Sequence, residues 1–261
     1  MLILLRRKDN SVFRPQIYVL ICLWMTAGIM SAQENTNTSP FRQLTEELPA
    51  PNGYRTASGR PGPDYFQQQA DYKIDIKLDE ENNSLSGKEI ITYYNNSRET
   101  LTYLWFQLDQ NILEKNSFGD KISVSDAGDQ NAASTLARLN DDFNGGFRIT
   151  SVTDIDRRVL KTIINHTVMK VLLNEAVKPG GKTELKIVWN YEINNLRKNW
   201  ARSGYDPFPG QNNNIYAIAQ FYPRLCVFND YGWQIKQYTG AEFALEFGDF
   251  DVSIEVPSDH I

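Results

Sequence analysis

Ala70-Asp71-Tyr72-Lys73-Ile74-Asp75-Ile76-Lys77-Leu78-Asp79 is the stretch that decides the fold. Tyr72, Ile74, Ile76 and Leu78 alternate with Lys73, Asp75, Lys77 and Asp79, so apolar and charged side chains fall on opposite faces of an extended chain. A period of two is that of a half-buried β-strand and cannot make an apolar stripe on a helix. Asp79-Glu80-Glu81-Asn82-Asn83 supplies a turn, and Leu85 to Tyr94 reads as the returning strand.

The same reading extends outward. Leu101 to Leu108 is apolar on both faces, which predicts a central strand. Leu185, Ile187, Trp189, Tyr191 and Ile193 alternate with Glu184, Lys186, Asn190 and Glu192, with Val188 the exception on the outer face. Val168 to Leu173 is predicted to pair with that strand through Lys178-Pro179-Gly180-Gly181. Phe243, Leu245 and Phe247 form one alternating set, and Phe250, Val252, Ile254 and Val256 another, with Gly248-Asp249 at their junction. Helical turns are expected only at Tyr65 to Ala70 and Ala132 to Leu139, the second inside a long loop at 116–145. A further long loop is expected at 197–215, carrying Trp200, Tyr205 and Phe208. The fold class is therefore all-β, an antiparallel sandwich or saddle with long loops.

Composition narrows the function classes. The 261 residues are 41% hydrophobic and 23% charged, as in a soluble globular chain with a sizeable core. A net charge of −5 argues against a nucleic-acid footprint, and Arg157-Arg158 and Arg197-Lys198 are too short to make one. Arg6, Arg7, Lys8 and Arg14 precede an apolar run, Ile17 to Met30, followed by Ser31-Ala32-Gln33. That is the layout of a signal peptide over residues 1–32, with an uncleaved anchor as the runner-up, and export to the periplasm or exterior is expected. Residues 33–69, rich in Asn, Thr, Ser, Pro and Gly, read as a disordered linker, and 70–261 as the folded domain. No span crosses a membrane once the signal is removed. Cys22 lies in the signal segment and leaves Cys226 alone, so no internal disulfide forms; Cys226 reads as a small buried hydrophobe.

The residues alone show no catalytic constellation. The two histidines, His166 and His260, stand in no HExxH or His-x-His spacing, so no metal site is assigned. Neither a Gly-x-Ser-x-Gly elbow nor a phosphate-cradling Gly loop is present, and Asp141-Asp142, Asp154/Asp156 and Asp249/Asp251 read as solvated acids. Calcium at Asp79 to Asn83 matches no regular ligand loop.

Three stretches resemble the N-terminal domain of the alanyl-aminopeptidase-like zinc metallopeptidases, in particular their exported bacterial branch. They are Ala70 to Leu108, with Gly87 before the second strand; Val177-Lys178-Pro179-Gly180-Gly181-Lys182-Thr183-Glu184-Leu185; and Ala219-Gln220-Phe221-Tyr222-Pro223-Arg224 through Gly232-Trp233 to Ile261. The resemblance implies a β saddle forming one wall of the substrate cleft of an enzyme that removes N-terminal residues from peptides. It implies that the catalytic domain, with its zinc, belongs to the same polypeptide and follows Ile261, that the saddle lacks its last strand, and that this chain alone is inactive and binds no cofactor. It puts Tyr222 where the family carries a substrate-amine Glu or Gln, a departure from the pattern; Gln220 or Tyr222 then lines the cleft as a substrate-binding residue, with a purely structural role the favoured reading. The alternative is a stand-alone exported β-sandwich that binds glycan or protein through an exposed aromatic row.

Overall fold

The computed structural model describes residues 51–118, 143–198, 201–208, 210, 213–240 and 244–260. The expected signal peptide, residues 33–50 of the linker, the turn at 132–139 and most of the 116–145 loop lie outside them. Pro51–Thr56 and the residues from Arg60 onward form one compact unit.

Two sheets stack on a shared core. The first holds five strands in the order β13-β1-β2-β7-β4: β1 Gln69–Asp79, β2 Ser84–Tyr94, β4 Arg148–Asp154, β7 Lys182–Glu192 and β13 Phe250–Glu255. The second runs β10-β3-β6-β5, from β3 Leu101–Gln107, β5 Thr162–Asn165, β6 Val168–Val177 and the short β10 Arg224–Leu225. Every pairing within them is antiparallel except β1 with β13. The all-β sandwich read from the sequence is thus the fold found, with one parallel edge added.

The core follows the period of two. Tyr72, Ile74, Ile76 and Leu78 of β1 are buried, as are Leu85, Ile91 and Tyr93 of β2 and Leu185, Ile187, Trp189 and Tyr191 of β7. Each such side chain removed from water contributes about 1.5–3 kcal/mol against the entropy of ordering it. Gly87 faces Trp189 in register, and a Cβ there would lie 2.3 Å from the indole ring, so glycine at 87 makes room for the largest core side chain.

Three expectations are corrected. Tyr65–Gln68 forms no helical turn, and Gln69 opens β1. β6 and β7 do not form a hairpin: Lys178–Gly181 is a corner that carries the chain from the second sheet to the first. Both edges of β7 are taken by β2 and β4, and both edges of β6 by β3 and β5, so the two cannot pair. Asn95 fastens that corner. Its amide nitrogen donates to the carbonyls of Glu99 (2.7 Å) and Val177 (3.0 Å), and its backbone pairs with Gly180 and Gly181. Lastly, the stretch read as a loop at 197–215 contains a ribbon, β8 Gly204–Phe208 paired with β9 Asn213–Ala217.

Residues 51–68, assigned above to the linker, make specific contacts. Tyr54 packs on Tyr65 and Phe66, both at 4.9 Å between ring centroids, and Asn52 and Arg55 bond the carboxylate of Asp230. Asp230 sits in the turn joining β11 Phe228–Asn229 to β12 Gly232–Trp233.

Candidate functional site

The segment Ala219–Cys226, singled out by the sequence, is held from three sides. Arg224, buried in β10, grips Asp109 with a two-pronged contact: Nε donates to Oδ2 at 2.6 Å and Nη2 to Oδ1 at 3.1 Å. Asp109 opens the 3₁₀ turn Asp109–Leu113 that follows β3, and Nη1 of the same arginine donates to the Ala244 carbonyl. The Leu225 amide donates to the Tyr72 hydroxyl at 2.9 Å, tying the segment to the first sheet. Burial pushes the Cys226 thiol up to about 12, which suits a packing residue and not a nucleophile.

Gln220 occupies left-handed backbone space, with φ of 53°. The Gln110 side-chain amide donates to the carbonyls of Ala219 and Gln220, at 2.8 and 3.1 Å, and fixes this turn. The Gln220 carboxamide oxygen accepts from the Tyr238 hydroxyl at 3.1 Å. Together with Asp109, Ser203, Gly240 and the aliphatic Ile112 and Leu113, these groups line a cleft of about 350 Å³. Tyr222 faces elsewhere. Its ring meets Tyr72 at 5.2 Å and Phe250 at 6.0 Å, and its phenol is pushed up to about 12 by burial, with the nearby Glu89 adding to the shift. The two residues named from sequence thus sit on one segment but do not share a cleft.

Sequence reading missed Glu89. It points inward from β2, is 1% exposed, and neither carboxylate oxygen has a hydrogen-bond partner. Burial raises its pKa well above the usual carboxylate range. The signal was in the pattern: Leu85, Gly87, Ile91 and Tyr93 share its face, so an acid at 89 interrupts an otherwise apolar row.

The loop aromatics are divided. Tyr205 is half-buried beside Tyr216, at 6.0 Å, while Phe208 is exposed beneath the guanidinium of Arg197; Trp200 lies outside the described residues. The sequence has no HExxH, and the histidines stand in separate settings, His166 beside Phe118 and His260 beside Tyr216.

A further feature is the edge strand β13. Phe250, Val252 and Ile254 lie in register with Tyr72, Ile74 and Ile76, so they continue the inner, core-facing side of the first sheet. They are nevertheless 50%, 41% and 61% exposed. On the opposite face Glu255 pairs with Lys77 and Asp251 with Lys73, which orients the strand without closing its apolar side.

No family model and no curated protein matches the sequence. Among solved structures, the M1 zinc metallopeptidase from Deinococcus radiodurans is similar in chain trace, at TM-score 0.36 and 12% identity over 76% of this chain and 34% of that one. A mutant of that enzyme bound to a Tyr-Ser-Ala substrate gives 0.38 and 12% over 73% and 33%. A two-domain M1 zinc metallopeptidase mutant bound to L-tryptophan gives 0.38 and 12% over 76% and 35%. The chain spans about a third of the length of these structures.

Proposed function

We propose that this chain is the N-terminal β domain of an exported zinc aminopeptidase, forming one wall of the substrate cleft while a catalytic domain of the same polypeptide supplies the zinc chemistry. The observation that carries this reading is the apolar row Phe250, Val252 and Ile254, a core-facing strand surface that stays about half exposed although Tyr222 packs against Phe250. An exposed row continuous with a core is the mark of a surface that another domain closes. The three resembling stretches give further support, because they fall on β1 to β3, the β6–β7 corner and the Arg224 segment that builds the cleft. On this reading Gln220 lines the cleft wall and Tyr222 packs at the domain boundary. The basic and apolar leader supports the exported part of this reading.

The test is an aminopeptidase assay with an alanyl anilide and added zinc. The chain alone is expected to release no product above buffer. The polypeptide encoded downstream is expected to bind the chain, and Val252→Lys to weaken that binding. Zinc-dependent turnover by the chain alone overturns the reading.

A further inference from the structure

Residues 79–83 turn the chain from β1 into β2, and β13 runs parallel to β1 toward that same end of the sheet. Beyond β13 the chain turns again, the His260 amide donating to the Pro257 carbonyl at 3.2 Å. This turn sets Asp259 and His260 against Glu80, some 180 residues away in sequence. His260 Nε2 lies 2.8 Å from Glu80 Oε1, and one ligand atom from each of Glu80, Asp259 and His260 falls within 4.8 Å of the other two. The Tyr216 ring stands 6.0 Å from the imidazole, its hydroxyl donating to Asn83 Oδ1 at 2.8 Å, and walls one side.

We propose that Glu80, Asp259 and His260 form a binding site for a divalent transition-metal ion of the Zn2+ class, which clasps the segment leaving β13 to the β1–β2 turn.

An ordinary surface ion pair explains one carboxylate beside His260. It leaves the second unexplained. Among the described residues, neither Glu80 nor Asp259 forms a salt bridge with Lys or Arg, whereas Asp79 is engaged by Asn82 and Glu255 by Lys77. Two carboxylates this close repel, and a cation between them removes that cost. One imidazole nitrogen with two carboxylates is a donor set for Zn2+ and its neighbours; Ca2+ and Mg2+ favour oxygen alone. Tetrahedral metal–ligand bonds of about 2.0–2.2 Å set adjacent donors about 3.3–3.6 Å apart, so the imidazole and the Glu80 carboxylate, in hydrogen-bond contact at 2.8 Å, part slightly to admit the ion while Asp259 closes in from within 4.8 Å. Asp259 is exposed and free to swing its carboxylate inward. The remaining positions fall to water. The site does not depend on the peptidase reading, since it uses none of the residues of the cleft.

The experiment uses the full chain, stripped with chelator and titrated with Zn2+ by calorimetry and by thermal unfolding. One zinc per chain is expected, with a raised unfolding midpoint and no displacement by excess Ca2+. His260→Ala and Glu80→Gln, on separate elements, should each weaken binding at least about tenfold, while His166→Ala leaves it unchanged. Far-UV circular dichroism checks that each variant is folded. No binding at millimolar zinc, or binding undiminished in both His260→Ala and Glu80→Gln, overturns the proposal.

Discussion

Arg224 and Asp109 form a buried two-pronged ion pair, 5% and 1% exposed at the side chain, joining β10 to the 3₁₀ turn after β3. It fixes the wall of the cleft, because the same turn carries Gln110, which in turn holds the backbone of Gln220. Breaking a buried pair strands a charge out of water. Asp109→Ala should therefore lower the unfolding free energy by about 3–5 kcal/mol. Urea unfolding measures this, and an Asp109→Leu, Arg224→Met double variant should recover most of the loss.

Glu89 sets a pH dependence whose sign is fixed by its burial. Its folded-state pKa is raised, against about 4.3 when unfolded, so the folded chain holds the proton more tightly. The stability it contributes is fully present below the unfolded value and is lost as pH rises through the window up to the folded pKa. Glu246, pushed up to about 6 by burial, acts with the same sign between pH ~4 and ~6. Glu89→Met should flatten its share of the slope and raise stability at neutral pH by about 1–3 kcal/mol. Denaturant melts of both proteins across that window give the difference directly.

Asn95 is fully buried, and its side chain satisfies the Val177 carbonyl where β6 enters the corner and the Glu99 carbonyl just before β3. Its side-chain oxygen also accepts from the Ser97 hydroxyl and the Gln68 amide. Asn95→Ala leaves these partners unpaired and should cost about 2–3 kcal/mol. Hydrogen exchange should localise the loss to 177–182, and uniform protection along the chain would contradict the corner's role.

The apolar row of β13 should make the isolated chain self-associate. Sedimentation is expected to show concentration-dependent association, and Val252→Lys to reduce it without changing the far-UV spectrum. Association unaffected by the substitution would place the sticky surface elsewhere.

Much of the fold was legible in the sequence because β1, β2 and β7 are buried on one face only, and their alternation survives in the residues themselves. The β8–β9 ribbon was not. Pro207 and the pair Asn213-Asn214 are poor strand formers, and the pairing rests on backbone geometry that composition does not display. Nor could the β6–β7 corner be read: two strands joined through Pro-Gly-Gly look like a hairpin until the neighbours of each are known. Glu89 was legible as a break in an apolar row, yet the period alone does not say that both its faces are covered. The Glu80–His260 contact depends on the parallel placement of β13, a register that no local pattern encodes.

We have proposed that this β domain completes a zinc aminopeptidase. It is tested most directly by sequencing the DNA beyond the Ile261 codon and translating it in frame. The account predicts an open frame leading to HExxH and a distal Glu. A stop codon there, with no such motif in any nearby frame, would contradict it.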